Sequence, residues 1–312
     1  RNRHLGHSER ISVATVRTGV RGDLAHVIGW LGDNSHFIPP SQGSAGGFQR
    51  PTSGIIPLVT LRSLWAPPHE TFGDLANAFV FYGNAQGRFA FGGSVEMREN
   101  VDDPAQHPVH HLQDSKALLD ELSEITKKVF GVPLTLDSLA RTLRLRVGEI
   151  DEEVPPVNNI SQAYREKMAA LRPLDEQGDG MRSYLGQLLP TLTAAFKVLL
   201  LDEPEAFLHP PQAHALGLQL GQLAMKQGIQ IVLATHDKNL LTGLLESGVD
   251  VSVVRLDRGS GSTAVHDLDA AQLRALWSDP VLRYTNILDG LFHRLVVVAE
   301  AEGDCAFLNA AL

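Results

Sequence analysis

The sequence predicts an α/β fold built around a mostly parallel sheet. Two runs, 198–201 and 229–233, are continuously apolar, which is typical of strands that are covered on both faces. Helical segments are predicted at 181–195, 211–227 and 238–246, so helices and strands alternate along this part of the chain. Such alternation favours parallel strands joined by helical crossovers.

The elements before this region are less regular. Residues 8–17 are predicted to form a strand and 24–31 a second apolar segment. Residues 38–54 are rich in Gly, Pro, Ser and Gln and are predicted to be a loop or a disordered excursion. An amphipathic helix is predicted at 115–130, because its apolar residues fall on one helical stripe. Residues 142–147 alternate strictly, which predicts a strand with one wet face.

The composition indicates an ordinary soluble globular protein. Of the 312 residues, 43% are hydrophobic and 20% are charged. No apolar run approaches the roughly 20 residues of a membrane span, and Cys305, the single cysteine, excludes an internal disulfide. We therefore expect a cytoplasmic protein without a membrane partner. The net charge of −9 means that DNA binding must be argued from something other than overall charge.

Two adjacent carboxylates follow the first apolar run. Asp202 and Glu203 end the predicted strand, and in open α/β sheets the carboxyl edge is where ligands bind. An Asp at such an edge can hold Mg²⁺ together with phosphates. A neighbouring Glu can orient or deprotonate a water that attacks a phosphate. The alternative is a polar strand end at which Asp202 caps a turn.

A histidine and a helix start complete the candidate site. His236 follows the next strand, so parallel pairing would bring it to the same edge as Glu203, where a neutral imidazole can hydrogen-bond a γ-phosphate or the attacking water. Upstream, a predicted helix begins with small residues and a hydroxyl, and a helix N-terminus of this kind suits an anion. The residues are Gly180, Met181, Arg182 and Ser183. An ordinary helix start with Asp179 as N-cap is the alternative.

Taken in order, these residues resemble three motifs of ABC-type ATPases. Residues 180–183 resemble the signature motif, LLDEPEAFLHP at 200–210 resembles Walker B and the D-loop, and 235–237 resembles the H-loop. The DEPEAFLHP form is most similar to the SMC/Rad50-like branch, which includes the OLD (overcoming lysogenization defect) family of ATP-dependent endonucleases. The resemblance covers about 110–257, and its signature departs from the common LSGGQ form.

The resemblance implies a function and roles for the residues. The cofactors would be ATP and Mg²⁺, with Asp202 holding Mg²⁺, Glu203 as catalytic base and His236 as γ-phosphate sensor. Gly180 to Ser183 would contact ATP bound by a partner head, which implies a homodimer or larger assembly. ATP binding would then control DNA engagement or cleavage. A non-nuclease SMC-like or transporter-type ATPase, or an interaction module with a degenerate ATP site, are the alternatives.

A second resemblance lies near the C-terminus. A predicted strand at 295–298 and the acidic turn after it resemble the start of a Toprim domain, with Glu300 at the position of a metal-binding glutamate and Ala301 replacing the usual Gly. The domains would then be an ABC-type P-loop ATPase at 1–292, with an inserted, helical or irregular region at about 38–160, and a Toprim-like start at 293–312. A generic buried strand is the alternative.

No GxxxxGK[ST] sequence, the phosphate-binding Walker A loop, occurs in the chain. We expect this loop to precede Arg1, the chain to be truncated at both ends, and the chain alone to be inactive. A true pseudo-ATPase is the alternative.

Two further groups of residues are candidates for binding. His107, His110 and His111 could bind a metal, but a solvated polar loop is the preferred interpretation. Arg141, Arg144 and Arg146 form a basic strand face, for which solvent exposure is preferred over DNA contact.

Overall fold

The computed structural model describes residues 24–41, 45–50, 54–65, 76, 78–100, 102–156, 158–258, 263–279, 290–292 and 301–311. The predicted strands at 8–17 and 295–298, and Glu300, lie outside the described residues. The chain divides into two compact units, Arg1–Ser247 and Gly248–Leu312.

The first unit begins with short elements, which are α1 (Leu24–Asn34), β1 (His36–Ile38), β2 (Gly47–Arg50), β3 (Gly54–Pro57), α2 (Leu58–Trp65), β4 (Val80–Gly83), α3 (Ala85–Phe91) and β5 (Val95–Glu96). Its middle contains α4 (Pro108–Asp114), α5 (Lys116–Phe130), β6 (Leu134–Asp137), β7 (Thr142–Val147), α6 (Gln162–Ala170) and β8 (Arg172–Pro173). It ends with α7 (Asp179–Leu192), β9 (Val198–Asp202), α8 (Pro210–Gln227), β10 (Gln230–Ala234) and α9 (Lys238–Glu246).

A parallel sheet positions the candidate site. Among the described residues its strand order is β10–β9–β4, and β9 pairs in parallel with both neighbours. Ala234 lies opposite Asp202, and Gly83 lies opposite Leu201, so the three strands end at one shared edge. The predicted α/β class with a parallel sheet is confirmed.

The two apolar strands differ in how well they are covered. Val198, Leu199 and Leu201 of β9 are buried, as the continuous apolar run predicted. In β10, which has β9 as its only described neighbour, Val232 is 50% exposed. The expectation that both faces are covered therefore holds for β9 and not for β10 in the described part of the chain.

The region predicted to be a loop at 38–54 contains strands instead. β1, β2 and β3 form an antiparallel sheet in which Phe48 and Ile56 are buried against the core around Trp30 and Phe79. The Gly- and Pro-rich composition of this region favoured a loop over strands. Apolar side chains that face inward stabilise the short strands that form instead. β4, which also lies within the region predicted to be inserted or irregular, is a strand of the central sheet.

The elements that follow agree closely with the sequence. α5 is capped by Ser115, whose side chain accepts from Leu118 N, and ends at Gly131, where φ is 78°. β7 buries Leu143 and Leu145 while the other residues of the strand remain partly exposed, as its alternation predicted. It pairs with β5, β6 and β8 in a further antiparallel sheet.

Helices α3 and α7 approach each other closely because one residue between them is a glycine. A Cβ on Gly186 would lie 1.9 Å from the backbone oxygen of Arg88, so no larger residue fits without a backbone shift. This contact holds α3, and with it Arg88, against the helix that begins near the candidate site.

The second unit contains the antiparallel hairpin of β11 (Val253–Arg258) and β12 (Thr263–Leu268), followed by α10 (Ala270–Ser278) and α11 (Glu302–Ala311). The predicted Toprim-like boundary at 293 stays a prediction. No helix in the described ranges combines the length and apolarity that a membrane span requires.

Candidate functional site

The predicted catalytic residues meet at the carboxyl edge of the central sheet. Asp202 is the last residue of β9, and the N–H of Glu203 donates to the backbone oxygen of Ala234 at 2.9 Å, which extends the pairing by one residue. His236 Nδ1 lies 3.6 Å from Glu203 Oε1, and both side chains are exposed. A carboxylate and an imidazole at this spacing can together contact a ligand at the edge.

Glu205 links the two strand ends and was not singled out from the sequence. It is 6% exposed, its Oε1 accepts from the backbone N–H of His236 at 3.2 Å, and the same oxygen lies 3.2 Å from His236 Nδ1. Its other carboxylate oxygen is buried without a hydrogen-bond partner. Glu205 therefore contacts His236 more closely than Glu203 does, and it fixes the backbone on which the imidazole is carried.

A buried arginine holds the same turn from beneath. Arg88, on α3, is 1% exposed, and its Nη1 donates to the backbone oxygens of Glu203 at 2.8 Å and Asp202 at 3.2 Å. Burial lowers the pKa of Arg88, and the carboxylates of Glu205, Asp202 and Glu203 oppose that shift. The sequence signal was weak, since this arginine simply precedes the apolar residues 89–91.

The turn after β9 has an uncommon backbone. Glu203 has φ of 45° and Phe207 has φ of 72°, which is the left-handed region that residues other than Gly seldom adopt. Such a conformation costs on the order of 1–3 kcal/mol and persists only where the surroundings hold it. Here Ala206 N donates to Glu203 O and Leu208 N donates to Glu205 O, both at 2.9 Å, in addition to the bonds from Arg88.

The predicted signature segment packs against this turn. Its N-cap is Gly178 rather than Asp179, and no side chain caps the helix. A Cβ on Gly180 would lie 2.8 Å from the backbone oxygen of Phe207, so glycine permits the close approach. Arg182 bonds Asp179 at 3.2 Å, and its guanidinium lies 4.6 Å from the ring centre of Phe89.

Ser183, the last residue of the predicted signature segment, is buried within the chain. Its side chain is buried, and its hydroxyl donates to the backbone oxygen of Ala206 at 3.3 Å. The predicted contact of Ser183 with a nucleotide on a partner head stays a prediction, and in this chain the hydroxyl faces inward. Ser183 instead fastens α7 to the turn that follows Glu203, because the second turn of the helix faces inward.

The histidines at 107–111 are not in a solvated loop, and that prediction is wrong. His107 is the N-cap of α4, where its Nδ1 accepts from Val109 N at 3.2 Å, and His110 is 5% exposed. The described residues contain no cluster of three His, Cys, Asp or Glu side chains that could hold a metal ion.

The three arginines predicted to form a basic strand face lie in different surroundings. Arg146 Nε donates to Asp137 Oδ2 at 2.7 Å, whereas Arg144 Nε is buried without a hydrogen-bond partner. Arg141 remains exposed, 4.0 Å from Glu96.

A parallel sheet with an Asp-Glu pair after one strand and a His after the next is consistent with the fold of P-loop ATPases, a class of proteins that bind and hydrolyse ATP. Within this class, residues 78–242, from just before β4 into α9, match the family described as "AAA domain, putative AbiEii toxin, Type IV TA system". The match covers more than half of the chain, and the chain belongs to this family.

Solved structures of SMC heads are similar at low identity. One, from work on ATP-driven dimerization and DNA-stimulated activation of SMC ATPases, has 11% identity and a TM-score of 0.36 over 61% of this chain and 99% of its own. A Smc head bound to the C-terminal winged-helix domain of ScpA has 12% identity and a TM-score of 0.37 over 52% of this chain.

A Smc head with an extended coiled coil, bound to a ScpA domain from Pyrococcus furiosus, has 12% identity and a TM-score of 0.38 over 54% of this chain. This chain spans 46% and 38% of the two ScpA-bound Smc chains. No curated protein matches it.

Proposed function

We propose that the carboxyl edge of the central sheet is an ATPase site in a dimerising head that controls DNA engagement or cleavage. The observation that carries the proposal is the 3.6 Å approach of His236 Nδ1 to Glu203 Oε1 at the ends of adjacent parallel strands. Asp202 would hold Mg²⁺, Glu203 would orient and deprotonate the attacking water, and His236 would hydrogen-bond the γ-phosphate.

The exposure of the side chains supports the roles proposed for Glu203 and His236. The side chains of Glu203 and His236 are exposed at the edge, so both can reach a ligand, while the buried Glu205 and Arg88 hold the backbone beneath them. A base acts only within hydrogen-bond reach of the proton that it removes, and fixed backbone supplies that precision. In this proposal Glu203 and His236 contact ATP, whereas Glu205 and Arg88 do not contact it and hold the backbone that carries them.

The second half of the site would come from another copy of the chain. In this proposal Gly180, Met181 and Arg182 face ATP bound by a partner head, so that the active form is a homodimer or larger. Phe207 is 54% exposed next to the start of α7, which gives this surface an apolar residue suited to a protein contact.

DNA is the proposed partner of the full-length protein, and cleavage would belong to a Toprim-like part that begins at 293 and includes Glu300. This part of the proposal depends on the sequence resemblance to OLD-family endonucleases, and the proposed setting is the cytoplasm. It predicts Mg²⁺-dependent cleavage that Glu300→Gln abolishes while ATP hydrolysis continues.

The test uses the full-length protein, meaning this chain together with the segment expected to supply the phosphate-binding loop. Glu203→Gln should lower the steady-state rate of ATP hydrolysis about 10²- to 10⁴-fold, the range of general-base catalysis. Glu124→Gln, an exposed carboxylate on α5, should leave the rate unchanged. Equal rates for the two variants would show that Glu203 is not the base.

A further inference from the structure

An aromatic side chain is exposed on the turn that joins the two halves of the proposed ATPase surface. Phe207 is 54% exposed and has φ of 72°, a conformation that residues other than Gly seldom adopt. Its backbone oxygen packs so closely on Gly180 that a Cβ there would lie 2.8 Å away. Leu208 N donates to Glu205 O at 2.9 Å, which closes the turn around it. The neighbouring backbone therefore holds Phe207 in a strained conformation that leaves its side chain largely in solvent.

A second aromatic ring and an arginine support the exposed ring. The ring centre of Phe89 lies 5.7 Å from that of Phe207, and the two planes are tilted by 47°. The guanidinium of Arg182 lies 4.6 Å from the ring centre of Phe89. Aromatic residues and arginines are enriched at the centres of protein interfaces, where they contribute a large share of the binding energy. The composition of this surface is thus typical of an interface centre.

The symmetry of the proposed dimer assigns a place to Phe207. Two identical copies ordinarily associate about a two-fold axis, so every contact between two different surfaces occurs twice. If the segment 180–182 of one head faces the carboxyl edge of the other, the axis must pass between these two surfaces of the same head. Phe207 lies between them, because it follows Glu203 of the edge by four residues and packs on Gly180 of the segment.

The charges on the two surfaces suit this arrangement. The carboxyl edge carries the exposed carboxylates of Asp202 and Glu203, whereas the segment carries the cation of Arg182. The bond from Arg182 to Asp179 joins partly exposed groups, so it is weak and leaves the guanidinium able to make a second contact. In a two-fold dimer this attraction occurs once on each side of the axis, with the aromatic ring between the two.

We propose that Phe207 contacts Phe207 of a second copy of this chain across the two-fold axis, and that this pair is the centre of the interface between heads. The inference rests on the proposed function, which supplies the partner head and the direction that segment 180–182 faces. Association removes from water an apolar side chain that the monomer exposes. It also joins the turn after Glu203 in one head to the same turn in the other, so the two ATP sites lie on either side of one apolar contact.

Charge exchange at position 207 tests the pair in the full-length protein carrying Glu203→Gln, which is expected to dimerise with ATP. Adding Phe207→Glu or Phe207→Lys should raise the dissociation constant of the dimer at least about tenfold, because two like charges then meet at the axis. A one-to-one mixture of the two variants should dimerise more tightly than either alone, since opposite charges then meet. Only a residue that contacts its own counterpart gives this pattern. Sedimentation velocity at a fixed ATP concentration measures the constant.

Val154→Glu is the matched control, since Val154 is an apolar residue that is 78% exposed on the loop between β7 and α6. This variant should dimerise as the Glu203→Gln parent does. If Phe207→Glu dimerises as readily as the parent, or the mixture as poorly as each variant alone, the contact is wrong and the proposed dimer stands. If the parent stays monomeric with ATP, the proposed dimer fails and the contact fails with it.

A photo-cross-linker at position 207 decides the matter if the turn does not tolerate a charge. Phe207→p-benzoylphenylalanine keeps an aromatic ring at this position. Irradiation of the Glu203→Gln protein with ATP should give a covalent dimer, in which mass spectrometry finds position 207 joined to the turn 203–208 of the other copy. The same substitution at Val154 should give no covalent dimer. A dimer that forms with ATP but yields no cross-link to this turn contradicts the proposal.

Discussion

The Nη1 of Arg88 donates a hydrogen bond of 2.8 Å to the backbone carbonyl oxygen of Glu203. Arg88 belongs to α3, which follows β4, whereas Glu203 follows β9, so the bond joins the ends of two neighbouring strands. Because Glu203 has φ of 45°, its backbone needs such external support. Arg88 is therefore a positioning residue for the proposed base.

Arg88→Gln should destabilise the fold and slow ATP hydrolysis. The variant loses a buried cation and the bonds to two carbonyl oxygens, which we expect to cost about 3 kcal/mol in the free energy of unfolding. Urea denaturation measures that cost. Arg62→Gln, at an exposed arginine of α2, should change it by less than about 0.5 kcal/mol.

The kinetic effect of Arg88→Gln distinguishes positioning from general destabilisation. In the full-length protein we expect kcat to fall while KM for ATP changes little, because the base would be displaced and not the nucleotide. Arg88→Lys, which keeps the charge and one donor group, should recover part of kcat. A folded Arg88→Gln variant with unchanged kcat would contradict this role.

Two glycine-to-alanine substitutions should change the free energy of unfolding in opposite directions. Gly186→Ala places a Cβ 1.9 Å from the backbone oxygen of Arg88, so α3 and α7 must move apart, and we expect a loss of about 1–3 kcal/mol or more. Gly29→Ala, on the exposed face of α1, meets no atom within 4 Å and should stabilise by about 0.5–1 kcal/mol. Thermal unfolding of both variants checks the pair, and Gly186→Ala as stable as the unmodified chain would refute the close packing.

The residues of the site that follow a clear apolar run could be predicted from the sequence. β9 and β10 are short apolar runs with polar residues directly after them, and parallel pairing of such runs brings Asp202, Glu203 and His236 to one edge. Arg88 and Glu205 escaped prediction, because their importance depends on which buried carbonyl or N–H lies above them, and that is a tertiary property. The burial of Ser183 could not be predicted for a related reason, since the motif indicates a residue type but not the face of α7 on which the residue lies.

Stability should fall as the pH is lowered because His107 is buried. Burial, with a smaller effect of His110 and His111, lowers the pKa of His107 from 6.5 to about 4. Between these pH values the unfolded chain binds the proton and the folded chain does not, so stability is complete above pH 6.5 and decreases toward pH 4. The loss from this residue amounts to about 3 kcal/mol.

His107→Asn tests this pH dependence while keeping a side chain that can cap α4. Asn does not titrate, so the slope of unfolding free energy against pH between 6.5 and 4 should become shallower. The variant also loses the stacking of His107 on Phe91, which should lower stability equally at all pH values. An unchanged slope would show that His107 is not buried in its neutral form.

Glu205 should be required for activity through His236. Glu205→Ala removes the acceptor for the backbone N–H of His236, so we expect the rate of ATP hydrolysis by the full-length protein to fall at least about tenfold. Glu205→Gln keeps an oxygen acceptor of nearly the same shape and should retain more of the rate. If both variants lose the same fraction of activity, the hydrogen bond to His236 is not what Glu205 contributes.

The last prediction separates the proposed base from the proposed Mg²⁺ ligand in the full-length protein. Glu203→Gln should still bind ATP, because Gln is nearly isosteric and can hydrogen-bond the water without removing its proton. Unhydrolysed ATP should then hold two heads together, and the dimer should accumulate in size-exclusion chromatography with ATP. Asp202→Ala should remain monomeric at the same ATP concentration, since loss of the Mg²⁺ ligand weakens nucleotide binding itself. If Asp202→Ala forms the dimer as readily as Glu203→Gln, Asp202 does not hold the metal; if neither forms it, ATP does not join the heads through this edge.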